Sequence, residues 1–96
     1  MSNRIWWKFT FEINSNLEDI IIWKLNSIDI QTYAFNILKS NKNNKLVTIW
    51  LPQANWPKLA RKSLEEIMRK LLNDNQNVKF IFSWEAIEEE DWMESW

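Results

Sequence analysis

Glycine, cysteine and histidine occur nowhere in the 96 residues, and proline occurs only twice. Each absence closes off a class of chemistry. Without cysteine there is no disulfide framework, no thiolate nucleophile and no zinc cluster, which fits an ordinary reducing cytoplasm. Without histidine there is no serine–histidine triad and no imidazole to carry protons or metal near neutral pH. Without glycine no backbone loop can close tightly around phosphate, which excludes P-loop and Rossmann fingerprints. A complete cofactor-dependent enzyme within this chain is therefore not expected, and neither catalytic, cofactor-binding nor metal-ligating residues are assigned to it. Long hydrophobic runs are missing too. No stretch approaches the roughly twenty apolar residues of a membrane span, and Met1-Ser2-Asn3-Arg4-Ile5 does not read as a signal peptide. A membrane partner is not expected, and the cytoplasm is the expected compartment.

What is present suits one compact domain. Hydrophobic residues make 46% of the chain, which argues against disorder. A domain of this size buries roughly 60% of its unfolded surface, enough for one core. The net charge of −1 hides an asymmetry: residues 85–96 hold six acids and no base, while the rest carry 12 bases against seven acids. A basic body suits nucleic acid or an acidic partner, although nine of the bases are lysines scattered along the chain. Asparagine, with 12 copies, is expected to do some of glycine's work in turns. Lysine, asparagine and isoleucine together supply 33 residues, as codon bias toward AT-rich DNA would.

Hydrophobic periodicity places six elements. Ile5, Trp7, Phe9, Phe11 and Ile13 alternate with polar or outward positions, a strand with one buried face. Ser15-Asn16-Leu17-Glu18 reads as a capping box opening a helix through Leu17, Ile20, Ile21 and Leu25. A β-rich run from about Ile28 to Leu38 follows, then the polar turn Ser40–Asn44 and a third strand, Leu46 to Leu51, closed by Pro52. Asn55-Trp56-Pro57 starts a second helix with the stripe Ala60, Leu64, Ile67, Met68 and Leu71. Val78, Phe80, Phe82 and Trp84 alternate as a fourth strand. The order βαββαβ predicts an α+β, ferredoxin-like domain: a four-stranded antiparallel sheet with two helices on one face and the first and third strands central.

The sheet face away from the helices is the candidate working surface. It should display Trp6, Lys8, Thr10 and Glu12 of the first strand, with Leu46, Thr48 and Trp50 of the third. Lys79, Ile81 and Ser83 of the fourth strand should join them. Trp6, Lys8, Trp50 and Ile81 are the contact candidates. Two indoles and a lysine on an open sheet suit base stacking as in RNA-recognition modules, or packing against another protein or a second copy. The third strand, Lys45 to Pro52, lacks the glycines and paired aromatics of RNA-recognition modules. Trp7, Trp23 and Trp84 are expected in or beside the core, and Trp56 at the helix entry. Glu65 and Glu66 read as exposed helix-surface ion-pair partners and nothing more. Glu88 to Asp91 lack the alternating ligands and turn glycine of a calcium loop, and read as a solvated linker face.

The close of the sequence, Glu88-Glu89-Glu90-Asp91-Trp92-Met93-Glu94-Ser95-Trp96, sets two indoles four residues apart within a run of acids. In a helix they share one face. Residues 1–86 are expected to form the domain. Residues 87–96 are expected to form an acidic linker or the start of an interdomain helix, with Asp91, Trp92 and Trp96 meeting a further domain absent from this chain.

Together these features resemble a known family. Trp6-Trp7 on the first strand, Leu17-Glu18-Asp19 at the first helix, Trp50-Leu51-Pro52 and the closing Asp91-Trp92-Met93-Glu94-Ser95-Trp96 are similar, in order and spacing, to the N-terminal substrate-recognition domain of the bacterial ribosomal-protein methyltransferase family PrmA. One departure is Asn26-Ser27-Ile28, where that family often has Gly-Ala. The resemblance implies a parent enzyme that transfers methyl groups from S-adenosylmethionine to lysine and N-terminal amines of large-subunit protein L-eleven. It implies L-eleven and a C-terminal catalytic domain as partners, with this domain docking the substrate and holding no cofactor itself. Direct nucleic-acid binding is then disfavoured; a stand-alone RNA-binding or self-associating module is the alternative.

Overall fold

The computed structural model describes residues 4–75 and 81–88. Its elements in chain order are β1 (Ile5–Asn14), α1 (Glu18–Ser27), β2 (Tyr33–Ile37), β3 (Asn44–Pro52), α2 (Lys58–Asn75) and β4 (Ser83–Glu88). Short 3₁₀ turns, Ser15–Leu17 and Gln53–Asn55, lead into the two helices. The strands form one sheet in the order β2-β3-β1-β4, and every ladder is antiparallel. This is the ferredoxin-like arrangement, with the first and third strands central as the element order predicts.

Alternation along β1 makes the core. Phe9, Phe11 and Ile13 are buried, and the β1–β3 register sets Ile49 opposite Phe9 and Val47 opposite Phe11. The helix layer closes over them with Ile21 and Leu25 from α1 and with Leu64, Met68 and Leu72 from α2. The α2 residues recur every four positions, the spacing that holds side chains on one helical face. Each such buried side chain contributes roughly 1.5–3 kcal/mol of transfer free energy.

Local chemistry departs from expectation at both ends of α1. The capping box does not form. Asn14 leaves β1 in extended conformation, and its side-chain oxygen accepts from Asn16 N at 3.0 Å. Ser15 N instead donates to Asn43 O at 2.8 Å, and the Glu18 carboxylate pairs with Lys45 across the domain. The cap falls one residue early because the first turn is 3₁₀. At the other end Asp29 takes φ 60°, and Ile30 N donates to Leu25 O at 2.9 Å, a Schellman closure. This consumes Ile28 and Ile30, the latter buried, so β2 is five residues long and does not begin near Ile28. The left-handed position thus goes to an aspartate. The asparagines of the turns act through their side chains, as Asn41 Oδ1 does in accepting from Asn43 N at 3.0 Å.

Candidate functional site

Directly opposed residues of antiparallel strands point to the same side of a sheet. The registers therefore assign the open face without ambiguity. Trp6 stands opposite Pro52 on one side and Ile87 on the other; Lys8 stands between Trp50 and Glu85. Thr10 lies between Thr48 and Ser83, and Ala34 of β2 opposes Thr48 from the far edge. The opposed pairs hold Cβ atoms about 5 Å apart.

The face is graded along the strands. At one end Trp6, Trp50, Pro52 and Ile87 gather around Lys8. The middle carries only small side chains, with Thr48 reduced to 3% exposure. At the opposite end Glu12 accepts from Asn44 Nδ2 at 2.5 Å, with Asn36 beside Leu46. A sheet face with an indole-bearing end and an amide–carboxylate end suits a polypeptide surface.

Of the residues singled out from sequence, Trp6, Lys8 and Trp50 come together at the apolar end, all half-buried. Ile81 does not join them. It lies two residues before β4 and is 86% exposed. Its strand parity is that of the open face, but β4 starts at Ser83 and runs through Glu88, so Ile87 occupies the place beside Trp6. Lys79, Asp91, Trp92 and Trp96 lie outside the described residues, as do Val78 and Phe80.

The opposite side of the sheet holds a feature that sequence spacing missed. Trp84 stacks on Phe9 with ring centroids 4.1 Å apart and meets Trp7 edge-on at 6.3 Å. From α2, Arg61 sits 4.1 Å above the Trp7 ring and Arg69 5.2 Å above Phe82. Glu65, between them, accepts from Trp84 Nε1 and lies 3.8 Å from Arg69. Glu65 is therefore part of the α2–β4 contact as well as the helix-surface pair its spacing predicts. A signal was available: Arg61, Glu65 and Arg69 recur every four residues alongside the buried stripe.

Trp23 also differs from expectation. It is 62% exposed on α1, with Lys24 Nζ 5.8 Å from its ring, while Trp7 and Trp84 pack against the core. Between the end of α1 and the start of α2 lies an open groove of about 330 Å³ lined by Ile28, Trp56, Ala60, Ser63, Leu64 and Ile67. Its lining offers one hydroxyl and no acid that could hold a ribose, so it does not fit an adenosyl cofactor. Among the described residues no group of acids could hold a metal ion, and no helix is long and apolar enough to cross a membrane.

Comparison with known proteins gives concordant relatives. The chain is 53% identical over all 96 residues to "Ribosomal protein L11 methyltransferase" of Prochlorococcus marinus strain MIT 9515, covering 32% of that protein. It is 48% identical over 96 residues to the protein of the same name in strain AS9601, again covering 32%. It is 31% identical over 91 residues to that of strain SARG, covering 95% of this chain and 30% of the relative. The chain thus spans about a third of the length of the curated relatives it matches. No family model matches it. No solved structure matches it.

Proposed function

The chain belongs, over the third of their length that it shares, to the ribosomal protein L11 methyltransferases, and from that premise we propose that it is the substrate-docking domain of such an enzyme. The parent methylates lysine and N-terminal amino groups of ribosomal protein L11 in the cytoplasm, using S-adenosylmethionine. The observation that carries the division of labour is a chain homologous from end to end yet without a single glycine or histidine. The methyl donor and the residues that act on it belong to the C-terminal catalytic domain of the parent.

Docking is assigned to the open sheet face. Trp6 and Trp50 supply apolar area that stays rigid on binding, Ile87 and Pro52 flank them, and Lys8 supplies a cation for an acidic group on the substrate. Holding the ribosomal protein beside the catalytic domain raises the effective concentration of its amines, and so contributes proximity while the other domain supplies chemistry. The connection between the two domains is assigned to residues 87–96, with Asp91, Trp92 and Trp96; Ile87 and Glu88 of this stretch close β4. Presentation of one bound substrate in several orientations through that connection lets more than one amine be modified.

Titration of the purified chain against ribosomal protein L11 and, separately, against ribosomal RNA tests this reading. Saturable binding to the protein is expected. Binding to RNA alone, falling steeply with added salt as phosphate contacts do, would overturn it in favour of an RNA-binding module.

A further inference from the structure

The two edges of the sheet are guarded unequally. At one edge β4 carries Glu85 and Glu88, the kind of charge that discourages pairing with another chain. At the other edge β2 carries none, and the whole stretch from Ile30 to Leu38 is without a charge or a proline. Its backbone is open on the outer side. Trp50 N donates to Thr32 O at 2.8 Å and Leu38 N to Asn44 O at 3.3 Å, so the even-numbered residues of this stretch face β3. The N–H and C=O groups of Tyr33, Phe35 and Ile37 therefore point away from the sheet, and they have no partner among the described residues.

The side chains of the same three residues form an apolar row. The register sets Tyr33 opposite Ile49, Phe35 opposite Val47 and Ile37 opposite Lys45, so all three lie on the helix side. Tyr33 and Phe35 meet edge-on at 5.8 Å and are half-buried, while Ile37 at the end of the row is 66% exposed. The helix layer thus leaves apolar area uncovered along an open backbone edge. Charge distinguishes the two ends of that edge. Asp29 precedes it, Lys39 and Lys42 follow it, and none of the three forms an ion pair among the described residues. An edge acidic at its start and basic at its end complements itself when a second copy runs antiparallel; parallel pairing would put like charges together.

We propose that β2 pairs with β2 of a second copy of this chain, antiparallel about a two-fold axis at Phe35. Phe35 then opposes the partner's Phe35, and Tyr33 and Ile37 oppose the partner's Ile37 and Tyr33. Each of these pairs exchanges two backbone hydrogen bonds, so every outward group of the row is satisfied. The Asp29 end of one strand meets the Lys39 and Lys42 end of the other. The two sheets join edge to edge, with the helices on one side and both open faces, each with its Trp6 and Trp50, on the other. A five-residue edge is short against the roughly 1,000 Å² of a lasting interface, so the dimer is reversible and depends on protein concentration. The inference goes beyond the docking role and stands without it.

Sedimentation equilibrium of the 96-residue chain, from micromolar to millimolar concentration, is expected to show reversible exchange between monomer and dimer. Amide hydrogen exchange locates the contact. Protection at Tyr33, Phe35 and Ile37 should rise with concentration, whereas Ala34 and Asn36, which face β3, should be protected throughout. Ile37→Lys, at an exposed position, should raise the dissociation constant at least about tenfold with the urea midpoint unchanged. Lys39→Glu, which sets an acid against the partner's Asp29, should raise it several-fold, and Lys39→Arg should leave it as it is. A chain that stays monomeric at millimolar concentration would overturn the proposal. So would a dimer that survives Ile37→Lys, or one whose three outward amides exchange as fast as in dilute solution, because association would then run through another face. Ribosomal protein L11 enters none of these measurements, so their failure leaves the docking assignment standing.

Discussion

Asp29 sits in the left-handed conformation, φ 60°, directly after α1. An L-residue with a Cβ costs about 1–2 kcal/mol there, less for aspartate, and glycine escapes that cost while losing about 0.5–1 kcal/mol to unfolded-state freedom. The two terms leave a small surplus for glycine. Asp29→Gly should raise unfolding free energy by about 0.5 kcal/mol, and Asp29→Val, branched at Cβ, should lower it by 1 kcal/mol or more. Urea midpoints measure both. Equal midpoints for the two variants would mean that the turn relaxes and that the Schellman bond from Ile30 to Leu25 does not hold it. The closure matters beyond its own residues, because it aims Ile30 into the core and Ile28 into the groove.

Backbone ladders join the strands, whereas the helices are joined to the sheet by side chains that bridge the layers, and α2 shows this best. Its buried stripe holds it to the sheet, while Arg61 holds it to Trp7 of β1, Glu65 to Trp84 of β4 and Arg69 to Phe82, just before β4. Removing the acceptor of the Trp84 indole leaves a half-buried donor unmade, at a cost of about 1 kcal/mol. Glu65→Ala should lose that much and Glu65→Gln less. In a double-mutant cycle with Trp84→Phe the coupling should be about 1 kcal/mol, read from urea unfolding. Additive effects would show the pair to be independent. The same element shows what sequence can tell. Alternation and four-residue spacing in β1, β3 and α2 announce which residues are buried, so element order and the face occupied by Trp6, Lys8 and Trp50 were legible. Strand extent was not, since parity is unchanged by sliding a strand two residues: Ile81 and Ile87 are equivalent until the ladder with β1 is known. Trp23 was misjudged for a related reason, because α1 is apolar on more than one side and spacing alone does not choose among Ile20, Ile21, Ile22 and Trp23.

At the scale of the molecule, the two sides of one sheet carry separate burdens. The helix side contains the core, and the side away from the helices carries the half-buried indoles of Trp6 and Trp50. Stability and docking should therefore respond to different substitutions. Trp6→Ala and Trp50→Ala remove half-buried area from the open side and should cost at most about 1–2 kcal/mol of unfolding free energy. On the docking role proposed for this face, each should weaken ribosomal protein L11 binding by about 2 kcal/mol, roughly 30-fold in dissociation constant. Trp84→Ala, on the core side, should do the reverse: a loss of about 3 kcal/mol in stability from the emptied aromatic stack, with affinity unchanged where the variant is still folded. Calorimetric titration beside urea unfolding reads both quantities for all three variants. Affinity retained in both Trp6→Ala and Trp50→Ala would move the docking surface to the helices or loops. Affinity lost in Trp84→Ala in step with its folded fraction would be no evidence for a contact, which is why unfolding must be measured on the same samples. The crossed pattern separates a face that binds from a face that merely holds the binder together.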